Sequence, residues 1–147
     1  MVLALQWPIT FGKNKPNGVD RSKLVKQWTM HGVWPDSVSK CNPAYPFNET
    51  ELDSIKSDLQ TLWPNFNIGK PDSDFWKHEW VEHGTCTGWT IEGYFSKGKE
   101  LWNRYPVTRW LDSAGIVPSN DPAKTYTLAE IEAALHKELS TTDSVAV

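Results

Sequence analysis

The sequence predicts an α+β fold. Two short strand-like segments lie near the N-terminus, and segments with helical apolar spacing fill most of the remaining chain. Neither a repeat nor a linker interrupts the chain, so residues 1–147 are expected to form a single domain around one core.

Residues 2–7 read as an apolar strand ended by Pro8. Residues 12–23, with Gly12, Pro16, Asn17 and Gly18, read as a loop. A second strand is expected from about Leu24 to Gly32. Its alternation sets Trp28 and Met30 on one face and Gln27, Thr29 and His31 on the other, and Pro35 stops it. Residues 35–48 form a loop rich in Pro, Ser and Asn that carries Cys41.

The first helix is expected over 49–63, where Leu52, Ile55, Leu59 and Leu62 recur at helical spacing, Asn48 with Glu51 resembles a cap, and Pro64 ends the run. A second helix starts near Ser73 or Asp74, holds His78 to His83, and meets its stop at Gly84. A third runs from about Ile91 to Tyr105 with Ile91, Tyr94, Phe95, Leu101, Trp102 and Tyr105 on one side, and a short helical turn covers 108–113. The last helix opens with the capping box Thr127-Leu128-Ala129-Glu130 and carries Leu128, Ile131, Leu135 and Leu139 as its apolar stripe. Residues 140–147 read as a frayed tail, and His136 as an ordinary surface residue.

Hydrophobic residues make up 39% of the chain, enough for a packed interior. The formal net charge is −3, whereas a protein that holds nucleic acid mainly by neutralising phosphates is usually basic. Any nucleic-acid ligand would therefore rely on stacking and a few local contacts. Nine Trp residues could serve that end, since a base stacked on an aromatic ring gains about 1–3 kcal/mol; their plainer reading is core packing. No apolar stretch approaches the roughly 18 residues of a membrane span. Met1 leads directly into Val2-Leu3-Ala4-Leu5-Gln6-Trp7, a run too short and too uncharged at its start for a signal peptide. The chain is thus expected to begin after a leader that has been removed or omitted.

Cys41 and Cys86 could be free, paired or metal-bound, although no second Cys or His stands beside either at zinc-finger spacing. Pairing would close a 45-residue loop, worth roughly 4 kcal/mol on the chain-entropy model. Asn48-Glu49-Thr50 is an N-glycosylation acceptor pattern, which together with paired cysteines leans toward an oxidising, secretory compartment.

Two segments carry chemistry: Trp28-Thr29-Met30-His31-Gly32-Val33-Trp34-Pro35-Asp36 and His78-Glu79-Trp80-Val81-Glu82-His83-Gly84-Thr85-Cys86. On a helix Glu79 and His83 share a face, and a carboxylate beside an imidazole orients it and favours its charged form. His78 and Glu82 make a similar pair. Zinc proteases need two His four apart, but His78 and His83 are five apart, about 140° around an ideal helix, which argues against a zinc site. A plain surface helix laced with charge pairs would explain the second segment alone. Two His-bearing segments joined by a possible cystine are harder to explain that way.

The first segment resembles one signature of the ribonuclease T2 family, aromatic-x-aliphatic-His-Gly-aliphatic-Trp-Pro. The second is similar to the family's other signature, His-Glu-aromatic-x-Lys-His-Gly-Thr-Cys. Leu5-Gln6-Trp7-Pro8 resembles the family's first strand and residues 126–139 its late helix, so the likeness covers most of the chain. It implies an antiparallel sheet flanked by helices and a cofactor-free endoribonuclease. Such an enzyme cleaves single-stranded RNA through a 2′,3′-cyclic phosphate to 3′-phosphate ends, using imidazoles rather than a metal. DNA, lacking the 2′-hydroxyl, would not be cut. Placed on this chain, the resemblance makes His83 the base and His31 the acid of the first step, with the roles exchanged in the second. Glu79 becomes the carboxylate that stabilises the phosphorane-like state, His78 a phosphate-binding residue, and Trp34 and Asp36 the holders of one base, with Gln6 at the other. It also implies a central disulfide between Cys41 and Cys86, a secreted or vacuolar location and a monomer.

Three departures stand out. Glu82 occupies the position where the family usually has Lys, which would set a carboxylate near the phosphate and reduce activity unless it points away and pairs with His78 or solvent. Gly12 stands where many members carry a further Cys. The sequence stops after the last helix where members usually continue into further strands, so either the fold is short at its C-terminal side or the sequence is incomplete. These departures keep open a competing reading, a T2-like secreted binding or effector protein with impaired catalysis. A Trp-rich carbohydrate-binding module would account for neither histidine segment.

Overall fold

The computed structural model describes residues 1–15, 17–119, 123–140 and 143–145. Pro16 of the expected loop and residues 141–142 and 146–147 of the expected tail lie outside the described residues. The chain divides into two compact units, Met1–Arg104 and Tyr105–Val147.

In the first unit, strand β1 (Val2–Gln6) pairs antiparallel with strand β2 (Thr29–Trp34). The second strand therefore starts five residues later than its alternation predicts and continues to Trp34. The register runs Val2↔Trp34, Leu3↔Val33, Ala4↔Gly32, then slips to Leu5↔Met30 and Gln6↔Thr29, leaving His31 unpaired. This is a β-bulge, two residues on one strand against one on the other. The bulge reverses parity, so that Met30 and Val33, three apart, both face the core with Leu3 and Leu5 opposite them. The expected simple alternation across residues 24–32 fails for this reason.

Pro8 does not merely end β1. It opens helix α1 (Pro8–Asn14) at the first helical position, where a missing N–H costs nothing and the fixed φ suits the helix. The expected loop at 12–23 thus begins only after Asn14, and a single 3₁₀ turn, Arg21–Lys23, lies inside it. The helix expected over 49–63 is split into a 3₁₀ turn at Glu49–Leu52, capped by Asn48, and helix α2 (Lys56–Leu62). Leu52, Ile55 and Leu59 are all buried, because the three-residue step from Leu52 to Ile55 matches the 3₁₀ repeat and the four-residue step to Leu59 the α repeat. Helix α3 (Asp72–Glu82) starts slightly before its expected position, and helix α4 (Ile91–Arg104) matches its pattern.

A two-stranded sheet is marginal alone. Here β1 and β2 are covered by helices through a core of Met30, Val33, Leu52, Leu59, Trp63, Trp76, Trp80, Ile91, Tyr94 and Phe95. The buried indoles and phenol also find acceptors: Trp63 Nε1 donates to the His31 carbonyl at 2.7 Å, Trp76 Nε1 to Trp63 O at 2.8 Å, and Tyr94 Oη to Val33 O at 3.1 Å. Three Trp residues are therefore core, as the plainer reading expects.

The second unit contains helix α5 (Val107–Ser113) and helix α6 (Leu128–His136). The Thr127–Glu130 capping box is present with both bonds. Tyr126 Oη accepts from Val117 N and donates to the Gly115 carbonyl, both at 3.1 Å. Two members of the expected apolar stripe differ: Leu128 is exposed, since it opens the helix, and Leu139 lies past its end. Among the described residues no helix is long and apolar enough to cross a membrane.

Candidate active site

The bulge in β2 aims His31 away from the regular pleat, and the Trp63 indole fixes its carbonyl from below. Helix α3 supplies the opposite wall. Its inward stripe is Trp76, Glu79 and Trp80, spaced three and four apart, so Glu79 occupies a core position and its side chain is 1% exposed. The helix ends at Glu82. His83 is its C-cap, with its N–H donating to Glu79 O at 2.9 Å, and the chain turns sharply at Gly84. The expected helical face shared by Glu79 and His83 is therefore replaced by a terminal turn. A Cβ at Gly84 would strike the Trp80 ring.

These elements bring four side chains together. Glu79 Oε1 lies 3.7 Å from His31 Nε2, and Trp34 Nε1 donates to Glu79 Oε2 at 3.1 Å. The Trp34 ring stands 5.1 Å from the His31 ring, edge to face, and 5.3 Å from the His83 ring, tilted by 32°. One indole thus contacts both imidazoles. Among the described residues, His83 Nδ1 is buried without a hydrogen-bond partner.

Burial dominates the electrostatics. It raises the Glu79 carboxyl to about 7; the Trp34 bond opposes the shift and nearby Glu82 adds to it. Burial also holds His31 below the usual imidazole range, helped by His78, His83 and Lys15. His83 is lowered by burial too, against the pull of Glu82 and with a further push from His78. Burial thus favours the neutral form of all three groups, the carboxylic acid at Glu79 and the uncharged imidazole at His31 and His83.

A cleft opens on each side of the cluster. One, of about 340 Å³, is lined by His31, His78, Gln6 and Phe75, with Lys15, Asn65, Phe66 and Asn67. The other, of about 410 Å³, is lined by Trp34, Asp36 and His83, with Val2, Pro35 and Ser37 to Ser39. Each of the sequence-derived candidates Gln6, His31, Trp34, Asp36, His78 and His83 lines one of these clefts, and Glu79 is buried, bonded to Trp34. Asp36 also pairs with the Met1 ammonium. Sequence reasoning missed the stretch Pro64 to Asn67, because Pro64 was informative only as a helix stop. Asn65 is 3% exposed and clamped by Asp72 and Pro71, with Asn65 N to Asp72 Oδ1 at 2.8 Å and Asn65 Nδ2 to Pro71 O at 2.9 Å. The signal available for it was an Asn between two aromatic-rich segments, with Asp72 seven residues on.

Cys41 and Cys86 form a disulfide with Cα atoms 4.9 Å apart, tying the loop after β2 to the turn after His83. Glu82 pairs with Lys40, Nζ to Oε1 at 3.2 Å. Asn48 is exposed, its Oδ1 accepting from Thr50 N and Thr50 Oγ1. His136 is exposed on α6. Among the described residues, no group of three or more His, Cys, Asp or Glu side chains is arranged to hold a metal ion.

Residues 1–146 match the model of the ribonuclease T2 family. The chain is 33% identical over 141 residues to ribonuclease T2-A of Mus musculus, covering 92% of this chain and 52% of the mouse protein. Among solved structures, ribonuclease MC1 from the seeds of bitter gourd superposes with a TM-score of 0.78 at 28% identity, covering 91% of this chain and 71% of that one. RNase NT in complex with 5′-AMP gives a TM-score of 0.79 at 25% identity, covering 90% and 68%. The chain spans about half the length of the curated relatives it matches.

Proposed function

The chain belongs to the ribonuclease T2 family, and from that premise we propose that it is an endoribonuclease that cleaves single-stranded RNA by transphosphorylation without a metal. The observation that carries this reading is that His31 and His83 both pack against the Trp34 ring, whose indole N–H is bonded to Glu79. In the first step His83 takes the proton of the 2′-hydroxyl, whose oxygen attacks the adjacent phosphorus. The bond from phosphorus to the 5′-oxygen breaks, and His31 gives that oxygen its proton. A 2′,3′-cyclic phosphate and a 5′-hydroxyl result. In the second step water replaces the 5′-oxygen, the two imidazoles exchange roles, and a 3′-phosphate is left.

Glu79 orients His31 and, through its bond to Nε1, the Trp34 indole. His78, in the cleft with His31, is suited to a phosphate oxygen. Trp34 and Asp36 line the cleft we assign to one base, and Gln6 the cleft we assign to the other. The disulfide and the exposed Asn48 acceptor support a secreted or vacuolar location with N-glycosylation, and the match over residues 1–146 supports one monomeric domain.

The test is incubation with a homopolymer RNA at about pH 5–7 in EDTA, near the imidazole range, with the ends analysed. Cyclic-phosphate ends that persist in chelator are expected, and single-stranded DNA should remain intact. Loss of cleavage in EDTA would reject the metal-free route. Tight mononucleotide binding with no cleavage would promote the binding-protein reading.

A further inference from the structure

The segment from Pro35 to Ser39 forms one wall of the cleft beside Trp34 and His83. It contains or adjoins two non-glycine residues in the left-handed region, Ser37 at φ 60° and Lys40 at φ 53°. Such conformations persist only where the surroundings enforce them. Lys40 is held twice by one residue: its N–H donates to Glu82 O at 2.9 Å, and its Nζ meets Glu82 Oε1 at 3.2 Å. Glu82 immediately precedes His83, and Cys41, next to Lys40, is bonded to Cys86. One end of the cleft wall is therefore fixed by β2 and the other is pinned to the end of α3.

We infer that the Lys40–Glu82 pair is a latch that positions the Pro35–Ser39 wall for a nucleobase, so that Lys40 and Glu82 are positioning residues rather than contacts to the reacting phosphate. The inference rests on the ribonuclease reading for its substrate, but not for its geometry. The disulfide keeps the loop attached when the latch is broken, so the fold survives while the wall loses its setting. Val2 and Val38, both exposed, line the same cleft and leave apolar surface for a base beside Trp34.

The test compares Lys40→Glu, Glu82→Lys, the double exchange and Lys40→Arg. Steady-state kinetics on a dinucleoside monophosphate are measured together with calorimetric binding of 5′-AMP. Each single reversal is expected to raise KM and the 5′-AMP Kd about two- to fivefold, the scale of a partly exposed pair, with kcat within about twofold for Lys40→Glu. Glu82→Lys also removes a charge that acts on Glu79 and His83, so its kcat is free to change. The double exchange and Lys40→Arg are expected to restore both. A double exchange as impaired as the singles would overturn the latch. So would Glu82→Lys raising kcat at unchanged KM, which would mean that the carboxylate acts on the phosphate. If no variant cleaves RNA but 5′-AMP binding follows the expected pattern, the latch stands and the ribonuclease reading falls. A wild-type chain that does not bind 5′-AMP overturns the latch.

Discussion

Trp34 Nε1 donates to Glu79 Oε2 across the bare backbone of Gly32, and a Cβ on Gly32 would collide with both of these atoms and lie 2.8 Å from Trp34 Cδ1. The glycine between the catalytic candidate His31 and Val33 is thus a matter of close approach, not of backbone freedom. Gly32→Ala is expected to break the indole–carboxylate bond. With the Glu79 carboxyl raised to about 7 by burial, the bond is largely to a neutral acid at acidic pH and contributes about 0.5–1.5 kcal/mol, so turnover should fall by about 2- to 10-fold. Kinetics alongside the circular dichroism of the folded variant check this. Unchanged turnover would mean that the Trp34–Glu79 bond does not matter to the reaction.

How much of this was legible in sequence depends on the kind of information each feature needs. The capping box at Thr127 and the stripe of α4 come from residues near each other in the chain, and they stand as read. The α+β class comes from the same local patterns. The bulge at His31 could not be read, because an unpaired residue is defined by the partner strand; Met30 and Val33 share a face only through the pairing with Leu5 and Leu3. Pro8 was ambiguous by itself, since proline both ends strands and opens helices. The residues the structure brings to the Trp34 cluster, His31, Glu79 and His83, stand in the two motifs. Their supports, Trp63 beneath His31 and Lys40 on Glu82, join positions 32 and 42 apart and left no local trace.

His31→Ala and His83→Ala are each expected to lower kcat/KM by at least about 100-fold, the lower end of what a positioned acid or base contributes. His31 is 42% exposed on its side chain, so its loss should leave the fold intact by circular dichroism. The pH profile supplies an independent check. His31 must be protonated to act as the acid and His83 neutral to act as the base, and burial holds both below the usual 6.5. The optimum of kcat/KM should therefore fall on the acid side of 6.5. A plateau extending well above about pH 7 would contradict the assigned roles.

The disulfide closes a loop 45 residues long and joins the segments after His31 and after His83. Replacing Cys41 and Cys86 together by Ala is expected to lower the unfolding free energy by roughly 4 kcal/mol on the chain-entropy model. Activity should fall further than the unfolded fraction explains, because the end of the Pro35–Ser39 wall away from β2 then rests on the Lys40–Glu82 contacts without the disulfide. Urea unfolding of the variant, together with its kcat/KM below the transition, separates the two effects. A stability loss with unaltered kcat/KM would show the bond to be structural only.

Glu79 offers the sharpest test of the electrostatics. Burial raises its carboxyl from 4.5 in the unfolded chain to about 7 in the folded one. A group whose folded pKa is raised is bound more tightly by its proton in the native state. Its favourable contribution is complete below pH 4.5 and is lost as pH rises through about 7. Above that, the native protein must hold a carboxylate on the stripe between Trp76 and Trp80, where the difference of pKa values corresponds to about 3 kcal/mol. Glu79→Gln keeps an acceptor for Trp34 Nε1 and removes the ionisation. Relative to the wild type, the variant should therefore gain stability between pH 4.5 and about 8 by an amount approaching that figure, read as the change in urea midpoint times the m-value at each pH. It should at the same time lose turnover, since the carboxyl beside His31 is gone. A stability difference that is the same at pH 4.5 and about pH 8 would show that Glu79 titrates in the fold as it does in the open chain, and that burial does not raise its carboxyl.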